Sequence, residues 1–264
     1  MDLEIADDIA LVSASSSGLG QASAMALASE GAHVVINGRD EDKLERAAKD
    51  VRSVATGEVV TQSGDLTEDD DIHDVVERTV DEFGTIDHLV TSAGGPPSGP
   101  FLDTTDEDWE HAYELLVLSV VRLVRETEPH LSDGGTPGTI VNVTSRSVKE
   151  AIDSLVLSNS VRMSVIGLEK TLSKELAPDV RANAVLPGPH ETARIQELIE
   201  QGVERGEYES YEDGIAKRGE GNPLGIVGNP TEFGNMVAFL SSPRSEYING
   251  AAIPIDGGAG SSNL

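Results

Sequence analysis

Cysteine is absent from all 264 residues. Its absence excludes a disulfide framework, a thiolate nucleophile and any cysteine-held metal, and no metal site is expected. Lysine is nearly as scarce, with only Lys43, Lys49, Lys149, Lys170, Lys174 and Lys217. Nineteen basic side chains face 47 acidic ones, for a formal net charge of -28. Such a surface repels a phosphate backbone, so nucleic acid is not an expected partner. No apolar run approaches the ~20 residues needed to cross a bilayer, so no membrane partner is expected either. The start, Met1-Asp2-Leu3-Glu4, lacks the basic opening of a secretory signal. These absences lead to the expectation of a soluble cytoplasmic protein.

The acids are spread along the chain, at 40–42, 68–71, 106–108 and 204–213, rather than gathered in one tail. One reading is solvated helix faces. The preferred one is adaptation to a high-salt, halophilic setting, where salt screens the self-repulsion and charge keeps the protein soluble.

Short apolar runs alternate with amphipathic ones. Strands are expected at 9–13, 33–37, 59–61, 88–91, 139–143, 180–186 and 252–255. Helices are expected at 18–30, 40–54, 67–83, 105–130, 155–176 and 230–240, with a charged stretch of irregular or helical structure at 190–228. Continuously apolar strands separated by helices form a parallel sheet covered on both faces. The length suffices for one such domain. The expected fold is therefore α/β, a single-domain Rossmann-like doubly wound sheet over residues 1–264, with 190–228 as a lid region. The helices at 105–130 and 155–176 carry apolar residues on more than one face, among them Leu115, Leu116, Leu118, Val120, Val121, Val161, Val165, Ile166 and Leu168. That breadth calls for a partner helix.

The first strand runs through Ser13-Ala14-Ser15-Ser16-Ser17-Gly18-Leu19-Gly20 into a helix. Small residues let backbone approach a pyrophosphate, and the helix N-terminus supplies N–H donors and a positive end. The second strand ends at Gly38-Arg39, and Gly64-Asp65-Leu66, Ser92-Ala93-Gly94 and Pro187-Gly188 follow later strands. With Asn142-Val143-Thr144-Ser145, Pro223-Leu224-Gly225 and Asp256-Gly257-Gly258, this series resembles the short-chain dehydrogenase/reductase family along the whole chain.

The resemblance implies a nicotinamide dinucleotide held by Ser13, Ser15, Ser17, Gly18, Leu19, Gly20, Arg39, Asp65, Leu66, Ser92, Ala93, Gly94, Pro187 and Gly188. Ala14 stands where the family has its first glycine, and the three serines are expected to compensate with hydroxyl contacts to phosphate. A cation at position 39 suits the 2′-phosphate of NADP, with NAD the second choice, unless Arg39 simply pairs with Asp40 or Glu41. The implied assembly is a homotetramer, and the implied partner is a small-molecule substrate.

The catalytic positions depart from the family. Ser145 matches its catalytic serine, but Ser158 stands where its tyrosine is expected and Arg162 where its lysine is expected. Leu116 falls where the family has an asparagine. No tyrosine in the chain is followed four residues later by lysine. The nearest likeness is a divergent subgroup close to the 3-oxoacyl-acyl-carrier-protein reductases. A serine hydroxyl is a weak acid and an arginine stays charged, so the usual proton donor is missing. Ser145, Ser158 and Arg162 are expected to polarise a carbonyl oxygen, with water as the proton source. Lys149 is a further candidate donor, unless it pairs with Glu150 or Asp153. His190 and Glu191 read as a hydrophilic loop, and His111 and His130 as surface residues. Three functions remain open: an NADP(H)-dependent carbonyl or alcohol oxidoreductase with an atypical site, a catalytically silent NAD(P)-binding sensor or scaffold, and a non-redox lyase or isomerase.

Overall fold

Seven strands carry the expected alternation: β1 (Ile9–Val12), β2 (His33–Gly38), β3 (Val59–Ser63), β4 (His88–Thr91), β5 (Gly138–Val143), β6 (Val180–Pro187) and β7 (Ala252–Ile255). In the computed structural model they form one sheet in the order β3-β2-β1-β4-β5-β6-β7. Every pairing is parallel. Residues 1–131 and 137–262 are described.

β1 sits between β2 and β4, so the strand order reverses beside it. Connections diverge there and leave a crevice at the carboxyl ends of the strands, where doubly wound sheets bind ligands. Helices α1 (Gly18–Ser29), α2 (Glu41–Val54) and α9 (Pro230–Ser241) cover one face. Their core includes Leu27, Leu44, Val51 and Phe233 packed on Val34 and Val141. The other face is covered by α3 (Asp69–Phe83), α4 (Asp106–Tyr113), α5 (Ser119–Thr127) and α6 (Val156–Glu175), whose core includes Ile72, Leu116, Leu123 and Leu157 on Leu89 and Ile140. The stretch at 190–228, expected as a lid, carries α7 (Ala193–Glu204) and α8 (Tyr211–Gly219).

The helix expected at 105–130 is not continuous. It starts as anticipated, with Thr105 and Asp108 forming a reciprocal capping box. At Glu114–Leu118 it widens into a π turn before resuming as α5. The Ser119 hydroxyl bonds back to the Leu115 carbonyl at 2.6 Å, a contact that loosens the regular ladder. The apolar breadth of this helix and of α6 also has a partly internal cause. Leu116, Val120, Val161 and Val165 are buried within the chain itself, and the outer residues left exposed include Tyr113 and Met163.

Candidate active site

The crevice at the strand ends is a cavity of about 530 Å3 that extends from Arg39 to Arg162. Its floor is the turn from β1 into α1. Ala14 holds a φ of +44° there, a left-handed conformation that a side chain makes costly. Gly20 is required by packing, since a Cβ on it would lie 2.5 Å from the Ala14 carbonyl oxygen. Ser17 is the N-cap of α1 but makes no side-chain cap bond. The first turn of α1, at Gly18, Leu19 and Gly20, therefore meets the cavity without a capping side chain, and its N–H groups form a seat for an anion.

The serines of the turn do not all behave as expected. Ser16 and Ser17 line the cavity. Ser13 and Ser15 are fully buried. The Ser13 hydroxyl donates to the Ser92 carbonyl at 2.8 Å and accepts from the Ser92 N–H at 2.9 Å. The Ser15 hydroxyl donates to the Val12 carbonyl at 2.7 Å and accepts from the Asn37 N–H at 3.0 Å. The expected phosphate contact from these two hydroxyls is thus corrected. They alternate inward with the strand and tie β1 to its neighbours, while the next two side chains emerge at the turn.

At one end of the cavity Arg39 is exposed and pairs with Asp65 at 3.2 Å, rather than with Asp40 or Glu41. Burial works against ionisation of Asp65, yet hydrogen bonds from the Thr67 N–H and hydroxyl and the Arg39 guanidinium keep its carboxyl below the usual range. Arg39, Asp65 and Leu66 all line the cavity. Across it, Ser92, Ala93 and Gly94 leave β4 and line the wall. Below them the Thr91 hydroxyl donates to the Asn142 side-chain oxygen at 2.7 Å, and the Asn142 Nδ2 has no partner.

Thr144, Pro187 and Arg162 line the other end. Gly188 lies beyond this lining and serves packing, because a Cβ on it would come within 2.7 Å of Asp256. Ser145 follows the lining residue Thr144 but is not itself part of the lining; it is half-buried and accepts the Ser147 N–H at 3.1 Å, capping a short 3-10 turn at Arg146–Val148. Ser158 is buried on α6, and its hydroxyl lies 3.1 Å from that of Ser147, which is also buried. Ser158 therefore faces a hydroxyl partner and is not part of the cavity lining. Lys149 does not reach the cavity either. It closes the 3-10 turn, one turn past Ser145, and its suggested partner Glu150 is taken by Arg146 at 2.7 Å and by Ser261.

Arg162 is 8% exposed. Its Nη2 donates to the Gly94 carbonyl at 3.2 Å, and its Nε has no partner. Burial alone pushes its pKa down to about 10, which leaves it charged at neutral pH.

Two histidines depart from the sequence reading. His190 is buried, not part of a hydrophilic loop. Its Nδ1 lies 2.9 Å from the Gly188 carbonyl and its ring meets Phe233 edge-on. A Cβ on Gly228 would touch the ring at 2.8 Å, so this imidazole pins the end of the 190–228 stretch to its beginning. Burial lowers its pKa. His111 is exposed as expected, yet it lines the cavity together with Leu115. The i, i+4 spacing of His111 and Leu115 is the sequence signal for that placement. Ser147 has no such signal, and only its contact with Ser158 reveals it. Among the described residues no cluster of histidine and carboxylate side chains could hold a metal, and no helix is long and apolar enough to cross a membrane.

The family model described as enoyl-(acyl carrier protein) reductase matches residues 13–260. The chain belongs to the short-chain dehydrogenase/reductase family. It is 30% identical over 251 residues to the 3-oxoacyl-[acyl-carrier-protein] reductase FabG of Thermotoga maritima, covering 95% of this chain and 96% of that protein. Among solved structures it resembles L-sorbose reductase from Gluconobacter frateurii, in complex with NADPH and L-sorbose, with a TM-score of 0.93 and 28% identity, over 99% of this chain and 100% of that one. It also resembles a variant of actinorhodin polyketide ketoreductase with NADPH, with a TM-score of 0.88 and 28% identity, over 97% of this chain and 98% of that one. As a family member it is an oxidoreductase of the short-chain type.

Proposed function

We propose that this short-chain oxidoreductase uses NADP(H) to interconvert a carbonyl compound and its alcohol, with a rebuilt proton relay. The observation that carries the reading is the continuous cavity from Arg39 to Arg162. One end offers a cation for a 2′-phosphate, the α1 N-terminus offers N–H groups for a pyrophosphate, and the other end offers a second cation. The residues fit the dinucleotide, and the relatives with NADPH in their structures support it. When bound, the nicotinamide supplies hydride to the carbonyl carbon or takes it back.

The chain's own contribution is to the oxygen of that carbonyl. The Ser145 oxygen already accepts the Ser147 N–H, which leaves its own proton free to be donated to a developing oxyanion. Arg162 stays charged and stabilises negative charge without moving a proton. The proton itself comes from water. Ser158 supports this arrangement through Ser147 rather than by touching the substrate.

The test is titration with NADPH and NADH, followed by a carbonyl and alcohol screen that follows the reduced cofactor by absorbance. Tighter NADPH binding with turnover supports the reading, and equal affinities would sink the NADP assignment. One observation favours a second reading, a silent NAD(P)-binding protein: the Ser158 hydroxyl is engaged by Ser147 and not by the cavity. Tight NADPH binding with no turnover on any substrate would select it.

Two properties of the whole molecule belong to the same proposal. The charge of -28 supports a requirement for high salt. The exposed Tyr113 and Met163 support pairing of subunits through α4 and α6, as in a homotetramer. A melting point that is flat across a salt series would remove the first, and a monomer by light scattering in high salt the second.

A further inference from the structure

Arg162 is a buried cation without an acid. It is 8% exposed, it donates to the Gly94 carbonyl, and its Nε has no partner. Burial is the sole influence on its ionisation, with no carboxylate among the described residues near enough to offset it. Removing a guanidinium from water without a counter-charge is costly, and a fork of N–H donors matches a carboxylate in shape and charge. Arg39, the other arginine lining the cavity among the described residues, already has Asp65.

The dinucleotide's own anions do not need Arg162. The first turn of α1 suits the pyrophosphate, and Arg39 suits a 2′-phosphate. Arg39 follows β2, on one side of β1, whereas Arg162 bonds the segment after β4, on the other side. An anion at Arg162 therefore comes from the second ligand of the cavity.

We propose that Arg162, whose fork can meet two oxygens at once, seats the carboxylate of a short oxo-acid substrate beside the carbonyl oxygen it polarises, so that the enzyme acts on anionic rather than neutral carbonyl compounds. This rests on the reductase reading for its chemistry, but the binding can be measured without turnover. The protein saturated with NADP+ is titrated with pyruvate, acetoacetate and levulinate and with their methyl esters, by calorimetry at fixed ionic strength. In this oxidised complex no ketone is reduced. At least one acid is expected to bind about tenfold or more tighter than its ester. Arg162→Met should abolish that preference by bringing the acid down to the level of its ester, and Arg162→Lys should keep part of it.

Equal binding of acids and esters, or no binding of either, overturns the proposal. So does an acid preference that survives Arg162→Met. A loss of NADP+ affinity in Arg162→Met with no acid preference in the unmutated protein would show that the arginine serves the cofactor instead. If Arg162→Met does not fold, the acid–ester comparison in the unmutated protein and the Arg162→Lys variant still decide. Acid binding without turnover of any acid would fail the reductase reading and leave only the carboxylate seat at Arg162 standing.

Discussion

Arg39 and Arg162 line the same cavity and meet opposite surroundings. Arg39 is exposed, paired with Asp65, and replaceable by water at little cost. Arg162 is buried, bonded to a backbone carbonyl, and has no counter-charge among the described residues. The first is a surface cation held over the place where a nucleotide phosphate is expected. The second stores an unfavourable burial that a ligand can relieve. The comparison separates the end proposed for the cofactor, built from backbone geometry and a solvated charge, from the end proposed for the reaction, built around buried polar groups.

The largest expected effect is on the cofactor end. Arg39→Asp replaces the phosphate partner with a like charge and leaves Asp65 without its cation. NADPH affinity should fall by about ten- to a hundredfold, with NADH less affected, so that the order of preference reverses. Fluorescence titration of both cofactors checks it. An unchanged NADPH affinity would break the comparison at that end.

A second effect concerns a buried acid on α6. Glu169 is 1% exposed and one of its oxygens has no partner. Burial raises its pKa from 4.5 to about 7, with Lys170 working the other way. A raised folded pKa means that the folded chain holds the proton more tightly than the unfolded one. Its favourable contribution is full below pH 4.5 and is lost as pH rises through about 7. Glu169→Gln should therefore be more stable than the parent at pH 8, by on the order of 2–3 kcal/mol, with the difference vanishing towards about pH 4. Denaturant melts at several pH values read it directly, and a pH-independent difference would contradict it.

The smallest effect tests the floor of the cofactor end. Ala14 holds its left-handed φ at a cost that glycine avoids. Ala14→Gly should raise stability by about 0.5–1 kcal/mol, the relieved strain being partly offset by the greater freedom of glycine in the unfolded chain. A destabilised variant in thermal melts would mean that the methyl group contributes packing that outweighs the strain.

The sheet was legible because most strands carry a short apolar run, and β1, β4 and β7 match their expected positions to within a residue, whereas β3 runs past its expected end through Gln62 and Ser63. The cavity lining was legible in part for a related reason: Gly18, Gly20, Arg39 and Gly94 sit at short offsets from strand ends, and the structure brings them to one cavity. What could not be read depends on contacts between distant residues. The burial of His190 comes from Phe233 and Gly228, and the role of Ser147 from a hydroxyl eleven positions away on α6. The π turn is local, but its back-bond from Ser119 is one of several that a serine can make, and the sequence does not select it. Alternation along β1, carried past Val12, puts Ser13 and Ser15 on one side, but it breaks at the turn, where the consecutive Ser16 and Ser17 both meet the cavity.

The separation of the two ends is tested most directly by measuring turnover and NADPH affinity together in Arg162→Met. The account predicts that kcat/KM on the best substrate falls by about a hundredfold while the NADPH Kd shifts by less than about threefold. A Kd that weakens in step with turnover, or turnover that survives the substitution, would contradict it.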